Sequence, residues 1–439
     1  MPYQSITPKR LEYAKRDFLG NRSEESDPLG SYHEVVTYWA FKSKKNMHEL
    51  CQLLLRAAAN PPMIARAMDD VGRLAALGVK VQAECLVWYP WDWFRDIETR
   101  LKTKQFKRGK YEKVTIPKRG KAGTRTIEVP SVETRIVARS VSNVLVPLID
   151  PGLYPLSIGF RPRRSPLHGI AAAEQLLQQG LTHWVVCDIR DAFGQLPKQR
   201  CLQILGSRLK NSPIMWLVEE LLDRHRTKGV PQGIAISPLM LNVYLDHCLD
   251  KWWLKNQPDT VLIRYADDIA VACPSHESAV ASYSALKDRI NTIGLQIKEE
   301  LDEAVFDLSA GEHIDWLGFR VRYEDEAMHL SVNDQSWQNL EMGLAEAKHR
   351  QNKMEENVCS LDVACIGFGW LAQKAVAFQE AQIPAVADKI RNLSLQQYGL
   401  DMSELTDTEA YYAWEAAQDR RDKARQEVIK WLPSNVVSN

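Results

Sequence analysis

The chain has no apolar run of membrane-spanning length, and Met1 to Arg10 carries no hydrophobic segment of a secretory leader. Neither a spanning helix nor a cleaved export signal is expected. Its eight cysteines, at 51, 85, 187, 201, 248, 273, 359 and 365, include no C-x-x-C pair. That excludes zinc ribbons and a disulfide framework, and fits a reduced, cytoplasmic setting. An overall charge of one sign is also missing, because 56 basic residues balance 56 acidic ones. Low-complexity tracts and internal repeats are absent, which removes solenoids and long disordered tails from consideration.

What remains is globular: 439 residues, 45% hydrophobic and 26% charged, enough for two or three domains. The balanced charge is unevenly spread. Between Lys102 and Arg125 stand ten Lys or Arg residues against one acid, Glu112. Such a run is either a solvated basic loop or an electrostatic footprint for phosphates, and the run alone does not decide between them. Residues 1–100 read as mostly helical, with periodic apolar positions in 47–58 and 63–77, and end in the aromatic cluster Trp88 to Phe94, which favours core packing over base stacking. The pattern then becomes strand-like around a basic glycine turn, Lys118 to Gly123, and a helix is expected over 132–148.

The middle third alternates strand and helix. Trp184 to Ile189 reads as a buried strand carrying Asp188, and helices are expected over 198–209, 215–224 and 238–253. The last follows the loop Gly229-Val230-Pro231-Gln232-Gly233, with Ser237 as its cap and Pro238 at its first position. Short strands are expected at 295–298 and 315–323, then helices over 335–432 with breaks near Gly367, Pro384 and Gly399. Irregularly mixed strands and helices favour the α+β class.

Chemistry concentrates in two carboxylate segments. Ile263-Arg264-Tyr265-Ala266-Asp267-Asp268-Ile269-Ala270-Val271 reads as a hairpin whose turn holds adjacent acids in an apolar run. Like charges beside a core repel and resist desolvation unless a cation neutralises them, and oxygen ligands suit magnesium. A solvated Asp-Asp turn is the plain alternative. The second segment, Val185-Val186-Cys187-Asp188-Ile189-Arg190-Asp191-Ala192-Phe193, places Asp188 where it can share metal ions with Asp267 if the two strands are neighbours.

In chain order, Asp188-Ile189-Arg190-Asp191-Ala192-Phe193, then Pro231-Gln232-Gly233 with Ser237-Pro238 and Asn242, then Tyr265-Ala266-Asp267-Asp268 resemble reverse transcriptase motifs A, B and C. Arg125 to Pro130, Arg135-Ile136-Val137 and Ser157 to Pro162 are similar to finger motifs of bacterial and group II intron-type enzymes. Gly294 to Lys298 resembles motif D, and Trp316-Leu317-Gly318-Phe319 the primer grip. The resemblance implies a right-hand polymerase: a helical extension (1–100), fingers (101–180), an antiparallel-sheet palm (181–330) and a helical thumb (331–439). It implies two Mg2+ ions, with Mn2+ as substitute, on Asp188, Asp267, Asp268 and the Ile189 carbonyl. Lys298 would protonate the leaving pyrophosphate, and Asp191 would be structural or approach the triphosphate through its backbone. Lys118, Lys121, Arg125, Phe193 and Gln232 would bind the nucleotide, Phe193 as a steric gate against the 2′-hydroxyl. Leu317, Gly318 and Phe319 would hold the primer.

No retron-type Asn-Ala-x-x-His or Val-Thr-Gly segment occurs, nor a His/Cys-rich endonuclease module or an RNase H-like run of acids. By that pattern the chain resembles the bacterial defence-associated "unknown group" reverse transcriptases. These copy a neighbouring non-coding RNA into cDNA from dNTPs, without a membrane. A group II intron-type enzyme with maturase activity, and an RNA-binding scaffold with incidental polymerase activity, stay open as alternatives. Tyr398, Tyr411 and Tyr412 are candidates for protein priming; oligomeric state is not legible.

Overall fold

The computed structural model describes residues 47–76, 90–117, 124–354 and 360–432. Trp88 and Tyr89 of the aromatic cluster, and the basic turn 118–123, lie outside them. Helices Met47–Ala59, Pro61–Ala76 and Pro90–Lys102 pack on one another, and the first two pack on helix Val132–Ile149. Apolar residues at helical spacing, among them Leu54, Ala58, Ile64, Phe94, Ile97 and Leu101, supply the buried seam. From the aromatic cluster, Phe94 is a core residue. The basic stretch contributes β1 (Glu112–Pro117) and β2 (Thr124–Val129), an antiparallel hairpin with Ile116 opposite Arg125.

A four-stranded antiparallel sheet follows: β3 (His183–Asp188), β4 (Val261–Tyr265), β5 (Asp268–Cys273) and β6 (Val305–Asp307), in the spatial order β4-β5-β3-β6. Both faces are covered, which is why β4 and β5 read as continuous apolar runs. Helices Ser237–Leu245 and His276–Thr292 share the core of one face. Helix Pro166–Gln178 packs on the other, where Gly169 lets Trp316 and Leu317 approach: a methyl there would meet Leu317 Cδ1 at 2.6 Å. Beyond it stand β7 (His313–Trp316), β8 (Phe319–Glu324) and β9 (Ala327–Val332), a meander.

Helices Asp334–Met354, Ser360–Lys374 and Ile383–Tyr398 share a core of their own. Helix Asp407–Val428 joins that core through Ala410 and Ala413, then crosses to helix Pro166–Gln178. There Glu174 accepts from Arg425 Nε at 2.7 Å and from Arg421 at 3.0 Å.

The mixed architecture is the α+β class expected. Four local readings change. The 315–323 strand is two strands with a turn at Leu317-Gly318, since the backbone runs at φ 51° and 81° there. Residues 295–298 form no full strand, only an isolated bridge from Ile297 to Ile189. Gly367 lies inside helix Ser360–Lys374, where a methyl would meet Leu405 and Met402 at 2.8 Å, so close packing rather than a break accounts for it. Ser237 is not an N-cap; it opens the helix, and its hydroxyl donates to the Pro231 carbonyl at 2.6 Å, pinning the preceding loop.

Candidate active site

β4 and β5 pair with Tyr265 opposite Asp268, leaving Ala266-Asp267 as a two-residue turn. Ala266 takes φ 61°, the positive value such tight hairpins demand. β5 pairs with β3 so that Asp268 lies opposite Asp188, and the Ile189 N–H donates to the Asp267 carbonyl at 3.1 Å. The two segments separated in sequence therefore meet at one end of the sheet. Asp188 and Asp268 line a cleft of about 360 Å³ together with Glu299, Asp315, Trp316 and Leu317.

Electrostatics mark the same spot. Burial pushes the Asp267 carboxyl above the ordinary aspartate range, and the charge of Asp188 adds to the rise. Lys298 answers this negative charge. Its ammonium donates to Asp188 Oδ2 at 3.1 Å and to Glu299 Oε1 at 3.0 Å. Partial burial opposes its charge, but those two hydrogen bonds outweigh it and raise the lysine pKa. The main chain holds this lysine in place as well, because its N–H donates to the Asp188 carbonyl at 3.0 Å.

The turn is anchored by a residue to which sequence reasoning gave no role. Arg264 is fully buried on β4, and all five of its guanidinium donors are satisfied. Nε and one Nη2 hydrogen form a fork on Asp250 at 2.9 and 2.7 Å. Nη1 donates to Asn242 Oδ1 at 3.0 Å and to the Ala266 carbonyl at 2.8 Å, and Nη2 also donates to Ser157 Oγ at 2.6 Å. Asn242 in turn donates to the Gly159 carbonyl at 2.8 Å. Asp250 ends a π turn, Asp246–Asp250, that continues helix Ser237–Leu245. Gly159 lies so close to the turn that a methyl there would fall 2.3 Å from the Ala266 nitrogen. The detectable signal was a lone arginine in an apolar strand, which burial forces to find a partner.

Phe193 lies just past β3, half-buried, its ring edge-on to Phe160 at 6.2 Å. Its carbonyl accepts from Val230 N at 2.8 Å, which lays the Gly229 to Gly233 loop against it. Gly229 has φ 76°, and a methyl there would strike the Gly194 carbonyl at 2.4 Å, so only glycine fits. Gln232 is half-buried in that loop, which closes against β2 where Gly233 faces the Glu128 carbonyl. Asp191, at φ 43°, makes the bend after β3. Lys118 and Lys121 lie outside the described residues. Arg125 lies on β2, with its backbone paired opposite Ile116.

Leu317 and Gly318 form the β7–β8 turn, one wall of the acidic cleft through Leu317. A second missed residue supports it. Lys374 Nζ donates to the Leu317 and Gly318 carbonyls at 3.3 and 3.2 Å and sits 4.2 Å from the Phe319 ring centroid. Burial lowers its pKa to about 8. Its chain position, 56 residues beyond the turn, gave no hint of this contact.

Residues 116–321 match the family described as reverse transcriptase (RNA-dependent DNA polymerase). The chain carries a reverse transcriptase domain. Its relatives include the E. coli K12 protein YkfC, 26% identical over 44% of this chain and 64% of that protein. The group II intron-encoded protein LtrA of Lactococcus lactis is 27% identical over 32% of this chain and 24% of its own length. The chain thus spans less than two thirds of either relative. A solved apo telomerase from Candida tropicalis covers 97% of this chain and 94% of its own at 10% identity, with a TM-score of 0.43. The fold of the reverse transcriptase domain, antiparallel sheet flanked by helices, is that of a right-hand polymerase.

Among the described residues no three His, Cys, Asp or Glu side chains are arranged as a metal cage, and no helix is long and apolar enough to cross a membrane.

Proposed function

We propose that the chain is an RNA-directed DNA polymerase that adds dNTPs to a primer 3′-hydroxyl. The observation that carries this reading is the register placing Asp188 opposite Asp268, with Asp267 in the adjoining turn. Asp188 and Asp267, with Asp268 and the Ile189 carbonyl beside them, would hold two Mg2+ ions, or Mn2+. Bound there, the ions would supply the charge neutralisation that phosphoryl transfer needs. The raised Asp267 pKa supports the assignment, because a cation relieves the repulsion that raises it.

The remaining roles rest on the motif resemblance. Lys298 neutralises Asp188 and would protonate the leaving pyrophosphate. The β1–β2 hairpin, with Lys118, Lys121 and Arg125, would clamp the triphosphate. Gln232 would track the nascent pair, and Leu317, Gly318 and Phe319, braced by Lys374, would hold the primer end. On this reading residues 1–100 are an extension, 101–180 the fingers, 181–330 the palm and 331–439 the thumb.

Phe193 would be the wall under the incoming sugar. Phe193→Val therefore admits ribonucleotides, and the preference for dNTP over rNTP in single-nucleotide extension falls by at least about tenfold. An unchanged preference contradicts the gate.

Proton competition gives a second test. Because the Asp267 carboxyl is raised, a proton competes with the metal at higher pH than at an ordinary aspartate. Mn2+ affinity, read by water-proton relaxation between about pH 5 and 8, rises with pH, and Asp267→Asn flattens the rise. A pH-independent affinity in the unsubstituted protein contradicts the ligand assignment.

The finer reading is a partner non-coding RNA copied in antiphage defence within the cytoplasm; it rests on the motif resemblance. The intron-encoded relative LtrA favours a second reading, a group II intron-type enzyme. Sequencing the nucleic acids that copurify with the protein separates them: one dedicated non-coding RNA supports the first, intron RNA the second.

A further inference from the structure

Strand β3 outruns one of its neighbours. β6 pairs with it only over His183 to Val185, whereas β5 follows it to Asp188. Past that point the open edge of β3 meets the segment 296–299. The Arg190 N–H donates to the Gln296 carbonyl at 2.8 Å, and the Lys298 N–H to the Asp188 carbonyl at 3.0 Å. A regular antiparallel ladder would offer a main-chain carbonyl to the Asp188 N–H. Here that N–H donates to Glu299 Oε2 at 2.7 Å. The other carboxylate oxygen, Oε1, accepts from Lys298 Nζ at 3.0 Å, and the same ammonium donates to Asp188 Oδ2 at 3.1 Å. Tyr283 fixes the main chain at this place, its hydroxyl donating to the Glu299 carbonyl at 2.9 Å.

A negative charge is a costly way to hold one N–H. Asp188 and Asp268 already line the same cleft, and like charges repel. The buried Cys187 thiol registers the combined field: burial raises its pKa first, and the charges of Glu299, Asp188 and Asp268 raise it further. A neutral glutamine would accept from the Asp188 N–H without adding to that field. What the charge adds is its hold on Lys298, because hydrogen bonds between ionised groups are about twice as strong as neutral ones. Glu299 is also the more sheltered of the two partners of the lysine, its side chain 21% exposed against 32% for Asp188. Lys298 meanwhile rests on an Asp188 oxygen that a metal ion would need.

We infer that Glu299 is a positioning residue with two tasks: it closes the end of β3, and it keeps the Lys298 ammonium when Asp188 turns to a cation. Lys298 is then held beside the site without competing for the Asp188 carboxylate. Without the Glu299 charge the lysine leans on Asp188, and a cation has to displace that ion pair. The inference rests on the polymerase reading, which makes Asp188 a metal ligand.

Mn2+ binding to the full chain at one fixed pH, read by water-proton relaxation without primer or nucleotide, tests this as a double-mutant cycle. Glu299→Gln keeps an acceptor for the Asp188 N–H, so the metal-free thermal midpoint stays level, while Mn2+ affinity falls at least about fivefold. Lys298→Met removes the competitor, and Glu299→Gln in that background costs less than about twofold. Glu299→Leu, which also removes the acceptor, lowers the midpoint. An equal loss of affinity in both backgrounds overturns the inference, because Glu299 then acts on the ion directly. So does unchanged affinity in Glu299→Gln, or a lowered midpoint in that variant, and a level midpoint in Glu299→Leu overturns the capping task. Asp267→Asn separates the two readings. If it leaves Mn2+ affinity unchanged, the polymerase reading fails and this inference with it; if it weakens Mn2+ binding while the cycle shows equal losses, this inference fails alone.

Discussion

Asp267→Asn lowers the single-turnover rate of nucleotide addition by at least about a thousandfold, equivalent to several kcal/mol of lost transition-state stabilisation. It does so without harming the fold. Asp267 is the carboxylate whose ionisation burial and the neighbouring Asp188 charge oppose, so its charge is a local cost to the metal-free protein. Neutralising it removes that repulsion while keeping the shape of the turn. The thermal midpoint of the metal-free variant therefore stays level or rises, and RNA binding is retained. Loss of activity accompanied by a lower midpoint would mean that Asp267 serves the fold.

Arg264→Met has the opposite signature. It leaves Asp250 charged and unpaired in a site where both side chains are fully buried, which costs about 3–5 kcal/mol. It also frees the Ala266 carbonyl, and with it the turn that carries Asp267. A displacement near 1 Å at a reacting centre costs about a hundredfold in rate. The double variant Arg264→Met with Asp250→Leu separates the two effects. Replacing a buried ion pair by apolar side chains restores much of the stability. It does not restore the hydrogen bonds to Ala266, Asn242 and Ser157, so the rate stays low. Denaturant midpoints and single-turnover rates on the three proteins read this out. Recovery of the rate along with stability would show that Arg264 has no positioning role.

The carboxylate strands were legible because continuous apolar runs meeting aspartates are a local signal, and the β4–β5 register follows from the tight turn at Ala266. Phe193 and the Gly229 to Gly233 loop were legible as motifs, and the structure lays them side by side. What stayed hidden are contacts between residues distant in sequence. Arg264 stood in plain view within β4, but Asp250, Asn242 and Ser157 reach it from other elements, and only the fold brings them to its fork. Lys374, the last residue of helix Ser360–Lys374, reaches the 317–318 turn across two intervening strands and a helix, which no spacing rule encodes. The 315–323 stretch read as one strand because Leu317 is apolar; the turn there depends on Gly318, where any Cβ would meet Lys374 Nζ at 2.2 Å. Ser237 looked like a helix cap because its chemistry suits one, yet the loop before it takes the hydroxyl first.

The central claim is that Asp188 and Asp267 form a polymerase site that copies RNA into DNA. Its most direct test supplies an RNA template of defined sequence, a DNA primer, four dNTPs and Mg2+ to the full chain and to Asp267→Asn in parallel, and sequences the extended primers. The account predicts DNA complementary to the template from the unsubstituted protein and none from the variant. Equal product from both, or no templated extension from either, contradicts it.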